Sequence, residues 1–453
     1  MSPTRREFLS RAALAAAMAG VGPGLASAMA AFSQSARPYL DLATRCAMWI
    51  DQSTQRNTNG TAWPADPLKP DSIGLDLYNG MPGVVSFFGN LYHASGDEKW
   101  RDRAQNGGSY LLAEGAKQGA ALGGGLYTGL AGLATTYRTL ETTKVGPIWA
   151  DAARRTAKQL ASMAKRGPDG AEWSDSNDII SGTAGIGLFL VEASTTWKDK
   201  ELADLAVQAG RKVLKTAQPA EGGLMWFPSA LLQRNYPNFS HGTAGVAYFL
   251  ATLYQQTKDK AFLDGALAGA KYLDAVATKR DGARAIFHVS GGGEDRFYLS
   301  WCHGPVGTAR LFHRLQQITG DRKWGQVVDE LTAWLMTSGA PEQQSAGYWN
   351  NISQCCGGVG IGQYCIDLAR HHPTPAADKL RERVTASTRS KATDDPAGLR
   401  WVQAENRAQP ENLVAQTGFM QGAAGVGTFF LQLDAFSRGV KWPTPLPDSP
   451  WRG

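Results

Sequence analysis

The sequence predicts an all-α protein, an α/α toroid of seven inner and seven outer helices. Three observations carry that reading. A short glycine phrase recurs seven times, an apolar run follows each copy, and a polar turn with an aspartate opens the helices that alternate with them.

The copies are "YNGMPGV", "YTGLAGL", "ISGTAGI", "SHGTAGV", "WCHGPVG", "CCGGVGI" and "MQGAAGV", and their first glycines are Gly80, Gly129, Gly182, Gly242, Gly304, Gly357 and Gly422. A period of roughly 50 to 65 residues holds two helices and two connections, so each unit reads as a helical hairpin. Runs such as "VVSFFGNLY", "IGLFLVEAS" and "VGTFFLQLD" are apolar around most of their circumference, as befits helices buried on more than one side. These are the expected inner helices. The turns "SGDEKW", "WKDKEL", "TKDKAF" and "TGDRKW" place Asp97, Asp199, Asp259 and Asp321 to cap the next helix. After the last of them Trp324, Val327, Val328, Leu331 and Leu335 form a one-sided apolar stripe, the mark of an outer helix. An open solenoid needs polar end caps, and neither the first unit nor the last looks like one, so a closed ring is expected. The segment before Gly80 and the Pro-rich tail after Trp442 are expected to be peripheral. No composition shift marks a linker, and residues 31–453 read as one domain.

Residues 1–30 read as an export signal. "TRREFLS" puts Arg5 and Arg6 ahead of Phe8 and Leu9, and "AALAAAMAGVGPGLASAMA" supplies a modestly apolar stretch ending in small-residue cleavage sites after Ala28 or Ala30. The pattern resembles a twin-arginine signal, which implies the twin-arginine export machinery as a partner and a folded protein delivered to the periplasm or the medium. No other segment approaches the length of a membrane span. The formal net charge of +6 falls to about +4 without the signal, with no Lys/Arg run, which argues against nucleic acid as a partner.

The chain has five cysteines, an odd number that excludes complete disulfide pairing. Cys46 and Cys365 carry no motif and read as small buried apolar residues. The other three gain meaning from the repeat, because equal offsets from the repeat glycine must lie at equal heights on a ring. The two positions before the first glycine are Tyr78-Asn79, Tyr127-Thr128, Ile180-Ser181, Ser240-His241, Cys302-His303, Cys355-Cys356 and Met420-Gln421. Cys302 and Cys355 share one offset; His241, His303 and Cys356 share the next. All five should project at one mouth of the ring. Cys302, Cys355 and Cys356 could there bind Zn²⁺ and leave the fourth tetrahedral position open, as catalytic zinc sites do. His303 could replace one cysteine as a ligand.

The seven glycine units together with "SWCHG", "CCGG", "SHGTAG" and "NDIISGTAG" resemble the lanthionine synthetase C-like family over essentially the whole mature chain. The resemblance implies an α/α toroid and a zinc held by the cysteine of a Trp-Cys-x-Gly unit and a Cys-His pair of the following unit. Carried over, these are Cys302 and Cys355-Cys356, with a cysteine at 356 where the commoner pattern has histidine; an all-cysteine triad resembles a subset of these cyclases. The implied chemistry is addition of a peptide or small-molecule thiol to a dehydroamino acid, closing a thioether. It also implies acid/base roles for Asp178 and His241. Read as residues alone, Asp178 could simply cap the third inner helix and His241 could simply fill space beside Gly242. Trp301 and Tyr78 read as wall residues. Two further readings stand beside the cyclase: an exported α/α-barrel glycoside hydrolase or lyase, which needs two carboxylates flanking the funnel, and a non-catalytic zinc protein that binds peptides. The glycine strings at Gly123 to Gly125 and Gly291 to Gly293 follow no strand and read as turns, not phosphate loops.

Overall fold

The structure, a computed structural model, describes residues 36–451, so the twin-arginine segment lies outside the described residues. Fourteen α-helices alternate around a ring among the described residues. The outer helices are α1 (Pro38–Gln52), α3 (Glu98–Gln118), α5 (Trp149–Ser162), α7 (Lys200–Lys215), α9 (Lys260–Ala275), α11 (Arg322–Thr337) and α13 (Pro375–Ser390). The inner helices are α2 (Met81–Ser95), α4 (Leu130–Thr142), α6 (Thr183–Trp197), α8 (Thr243–Thr257), α10 (Pro305–Thr319), α12 (Gly358–His371) and α14 (Ala423–Ser437). Each inner helix packs against the next, and α14 packs against α2, so the ring closes.

The aspartates act as expected. Asp97, Asp199, Asp259 and Asp321 each accept a hydrogen bond from a backbone N–H in the first turn of α3, α7, α9 and α11. Every residue of the stripe on α11, from Trp324 to Leu335, is buried. Cys46 and Cys365 are buried and unpaired.

Two peripheral assignments are corrected. The segment before Gly80 contains α1, the outer partner of α14, and it completes the ring. Its unit's repeat glycine is Gly422, distant in sequence, because the pair of α14 and α1 is made by ring closure. The tail after Trp442 is not peripheral either: Asp448 and Trp451 are buried among the inner helices. A third feature is new. Five two-stranded antiparallel hairpins follow outer helices, and each lies on the outer helix of the next unit; the last, Thr393–Asp395 with Gly398–Arg400, lies on α1. Strands of three residues are too short to show a period of two in the sequence.

The segment before each inner helix makes one tight turn, and these turns are joined by backbone hydrogen bonds that run around the mouth. Tyr78 N–H donates to Tyr127 O, Tyr127 to Ile180, Ile179 to Ser240, Ser240 to Cys302, Cys302 to Cys355, Cys355 to Met420, and Met420 back to Tyr78, at 2.7 to 3.1 Å. This circle is why equal offsets lie at equal heights. The second glycine of each phrase is needed because the turn crosses the first helical turn at close range: a Cβ on Gly307 would lie 2.0 Å from Trp301 O, and one on Gly360 2.4 Å from Gln354 O.

Candidate metal centre and active site

The backbone bond from Cys302 to Cys355 sets two neighbouring turns side by side, and three thiols meet where they touch. Cys356 Sγ lies 3.5 Å from Cys302 Sγ and 3.4 Å from Cys355 Sγ, and all three sulfurs fall within 4.8 Å of one another. A tetrahedral Zn²⁺ with bonds of about 2.3 Å holds its sulfurs about 3.8 Å apart, so this donor set fits the ion with little movement. The three cysteines are the only such metal-ligating cluster among the described residues, and His303 is not part of it. Its Nε2 faces Ser240 Oγ at 3.5 Å, towards the preceding repeat.

The thiols are electrostatically unequal. Burial pushes the Cys302 and Cys355 thiols well up, whereas hydrogen bonding with those two neighbours holds Cys356 well below the ordinary thiol range. A cation at the meeting point of the three sulfurs would favour the thiolate form of all of them. Tyr78 adds a contact that its sequence reading as a wall residue missed: its hydroxyl donates to Cys355 Sγ at 3.0 Å and accepts from the Gln421 amide at 3.0 Å. Its offset, shared with Cys355, was the available signal.

His241 and Asp178 also come together at this mouth. His241 Nδ1 lies 2.6 Å from Asp178 Oδ2, with the imidazole 40% exposed and the carboxylate 4% exposed behind it. Asp178 Oδ1 meanwhile accepts from Ser181 N and Gly182 N, both at 2.8 Å, at the start of α6. The carboxylate thus holds the turn that leads into α6 and orients a histidine at once, while α6 itself, with Gly182 at its N-cap, has no side-chain cap. With Nδ1 donating to Asp178, the Nε2 lone pair is left for the cleft.

The three cysteines, Tyr78, His303 and His241 line an open cleft of about 590 Å³, within the usual range for small-molecule sites, with Asp178 behind His241. Sequence reasoning missed a further part of the wall, made by His288, Tyr298 and Arg407. His288 stacks on Tyr298 at 4.2 Å and stands edge-on to His303 at 4.6 Å. Burial, and then the charges of Arg296, Arg407 and Arg234, push His288 down to about 4; burial also drives His303 well below its ordinary value. Both are neutral imidazoles at neutral pH. These residues lie on irregular loops outside the glycine phrase, where no periodicity marks them.

Residues 71–446 match the family described as lanthionine synthetase C-like protein. The chain belongs to the lanthionine synthetase C-like family. Among solved structures, this family member is similar to "Nisin cyclase", with a TM-score of 0.62 and 17% identity over 90% of this chain and 96% of that one. That likeness shows the fold. An α-1,6-mannanase, GH76A of Salegentibacter sp. HEL1_6, aligns with a TM-score of 0.46 and 14% identity over 88% of this chain and 99% of that one. A sugar epimerase from a ruminal bacterium aligns at 0.48 and 13% identity over 89% and 98%. No curated protein matches this lanthionine synthetase C-like chain in sequence. Among its described residues, no helix is long and apolar enough to cross a membrane.

Proposed function

We propose that this protein is a zinc-dependent lanthionine synthetase C-like cyclase that adds a thiol, carried by a peptide or a small molecule, across the double bond of a dehydroamino acid. The observation that carries the reading is the meeting of three cysteine sulfurs and the His241–Asp178 pair at one mouth of the toroid. Cys302, Cys355 and Cys356 would hold Zn²⁺ and leave one position open. Zinc bound there supplies a lowered thiol pKa, so that a substrate thiol loses its proton at neutral pH. Three thiolates donate more charge than a Cys-Cys-His set, which makes the incoming sulfur more nucleophilic.

The remaining steps belong to the side chains. Sulfur bonds to the β-carbon of the dehydroamino acid, the double bond becomes an enolate, and the α-carbon takes a proton. His241 Nε2 would take the proton that the substrate thiol loses and return it to the α-carbon, while Asp178 fixes the ring through Nδ1 and balances the charge it carries in between. Tyr78 steadies Cys355 through its hydroxyl. Tyr78→Phe is accordingly expected to weaken zinc binding about tenfold, as loss of a partner to a metal ligand usually does; chelator competition measures it.

The reading is tested by metal analysis of purified protein followed by incubation with a thiol and a dehydroalanine peptide. About one zinc per chain with thioether formation supports it. Zinc without turnover would favour a peptide-binding protein, and absence of zinc would sink the metal reading.

Export is part of the proposal. Arg5 and Arg6 would direct the folded, metal-loaded chain through the twin-arginine machinery to the periplasm or beyond. Changing both to Lys is expected to leave precursor inside the cell with zinc bound. Fractionation showing wild-type export of the Lys-Lys variant would remove this part of the reading.

A further inference from the structure

Below the metal cleft, the C-terminal segment enters the ring from the opposite end. Thr444 Oγ1 donates to Asn90 Oδ1 of α2 at 2.8 Å, and Trp451 packs against His313 of α10 and Tyr364 of α12 at ring distances of 5.2 and 5.7 Å. Between these anchors sits Asp448, 1% exposed. Its Oδ2 accepts from three groups: Arg310 Nη1 at 2.9 Å, Trp301 Nε1 at 3.0 Å and Tyr127 OH at 3.2 Å. Arg310 Nη1 also donates to the Asp448 backbone carbonyl at 2.9 Å.

Trp301 gives this cluster its importance. It directly precedes Cys302, it is 1% exposed, and it lines both the metal cleft and a second cavity of about 360 Å³ beneath, bounded by the tail. Its ring is therefore the partition between the two spaces. Tyr127 lies against it at 5.1 Å and shares the offset of Cys302 and Cys355 on the mouth circle. A single carboxylate from the far end of the chain thus holds the residue next to one metal ligand and a neighbour on the same circle. A buried tryptophan N–H and tyrosine O–H each need an acceptor, and here one charged acceptor serves both.

We propose that Asp448 is a positioning residue for the metal centre, and that the C-terminal tail is a built-in support which fixes Trp301, and through it Cys302, beneath the cleft. It acts through Trp301 and Tyr127 and touches neither metal nor substrate. The inference rests on the zinc reading above.

The test uses the full chain and reads zinc affinity by chelator competition, alongside thermal unfolding and the separate kcat and KM of thiol addition. Asp448→Asn puts an amide N–H₂ among three donors, and Trp301→Phe keeps the ring but removes its N–H. Both are expected to weaken zinc binding, the first by about 10- to 100-fold and the second by less, in samples that remain folded. Asp448→Glu, which keeps the charged acceptor, should recover part of the loss. If Asp448→Asn does not fold, Trp301→Phe decides alone. A lowered unfolding temperature with wild-type zinc affinity in the folded variants would make the tail a structural latch and overturn the proposal. A wild-type protein that binds no zinc would instead overturn the metal reading on which it rests.

Discussion

Cys356→Ala is expected to strip the protein of zinc, while Cys356→His is expected to keep it. Cys356 is the sulfur that touches both of the others, so its removal takes away the junction of the donor set. Two thiolates and water do not make a stable closed triad of protein ligands. Imidazole at position 356 would restore three donors but remove one negative charge from the centre. The bound substrate sulfur should then be held more firmly and react more slowly, so kcat falls while zinc stays near one per chain. His303→Ala is the control, because His303 shares the offset of Cys356 yet faces Ser240. Zinc content measured in Cys302→Ala, His303→Ala, Cys355→Ala and Cys356→Ala should be low in the three cysteine variants and normal in the histidine variant. Full zinc in Cys356→Ala would eliminate the three-cysteine site.

The second large effect is expected at the His241–Asp178 pair. His241→Ala should retain zinc and lose thiol addition by a factor on the order of 10² to 10⁴, the usual worth of a positioned acid/base. Asp178→Asn should lose much of the same factor, since an amide cannot hold the imidazole in the same tautomer or balance its charge. Because Asp178 is buried behind His241 and would act only through it, the double variant should be little worse than His241→Ala alone. Fully additive losses would give Asp178 an independent part. Asp178→Ala is the wrong probe, because through Oδ1 the same carboxylate also accepts from Ser181 N and Gly182 N in the turn before α6, and its loss loosens that turn as well.

What could be read beforehand follows from which features repeat. The glycine phrase repeats because each mouth turn crosses its helix at the same close range, so seven inner helices and the common height of Cys302, Cys355 and Cys356 were legible without coordinates. The aspartate caps were legible for a similar reason: capping is local chemistry. Features that occur once were not. Helix α1 has no phrase before it, and its role as the outer partner of α14 depends on ring closure, a contact between opposite ends of the chain. The tail looked like surface because prolines break helices, yet Asp448 and Trp451 are buried by elements distant in sequence. His288, Tyr298 and Arg407 sit on loops whose lengths vary from unit to unit. His303 was ambiguous because an offset gives height on the ring but not the direction in which a side chain turns.

The circle of backbone bonds at the mouth makes the three-cysteine arrangement portable. Ser240, Cys302 and His303 stand to one another as Cys302, Cys355 and Cys356 do, one step back around the ring, tied by the same kind of bond, Ser240 N–H to Cys302 O at 2.8 Å. His303 Nε2 already faces Ser240 Oγ. A single change, Ser240→Cys, would set a Cys-Cys-His sequence at the same two offsets, rotated by one unit and sharing Cys302 with the existing trio. In a ring of like turns, the side chains present at two neighbouring turns, and the directions they take, decide where three donors can meet.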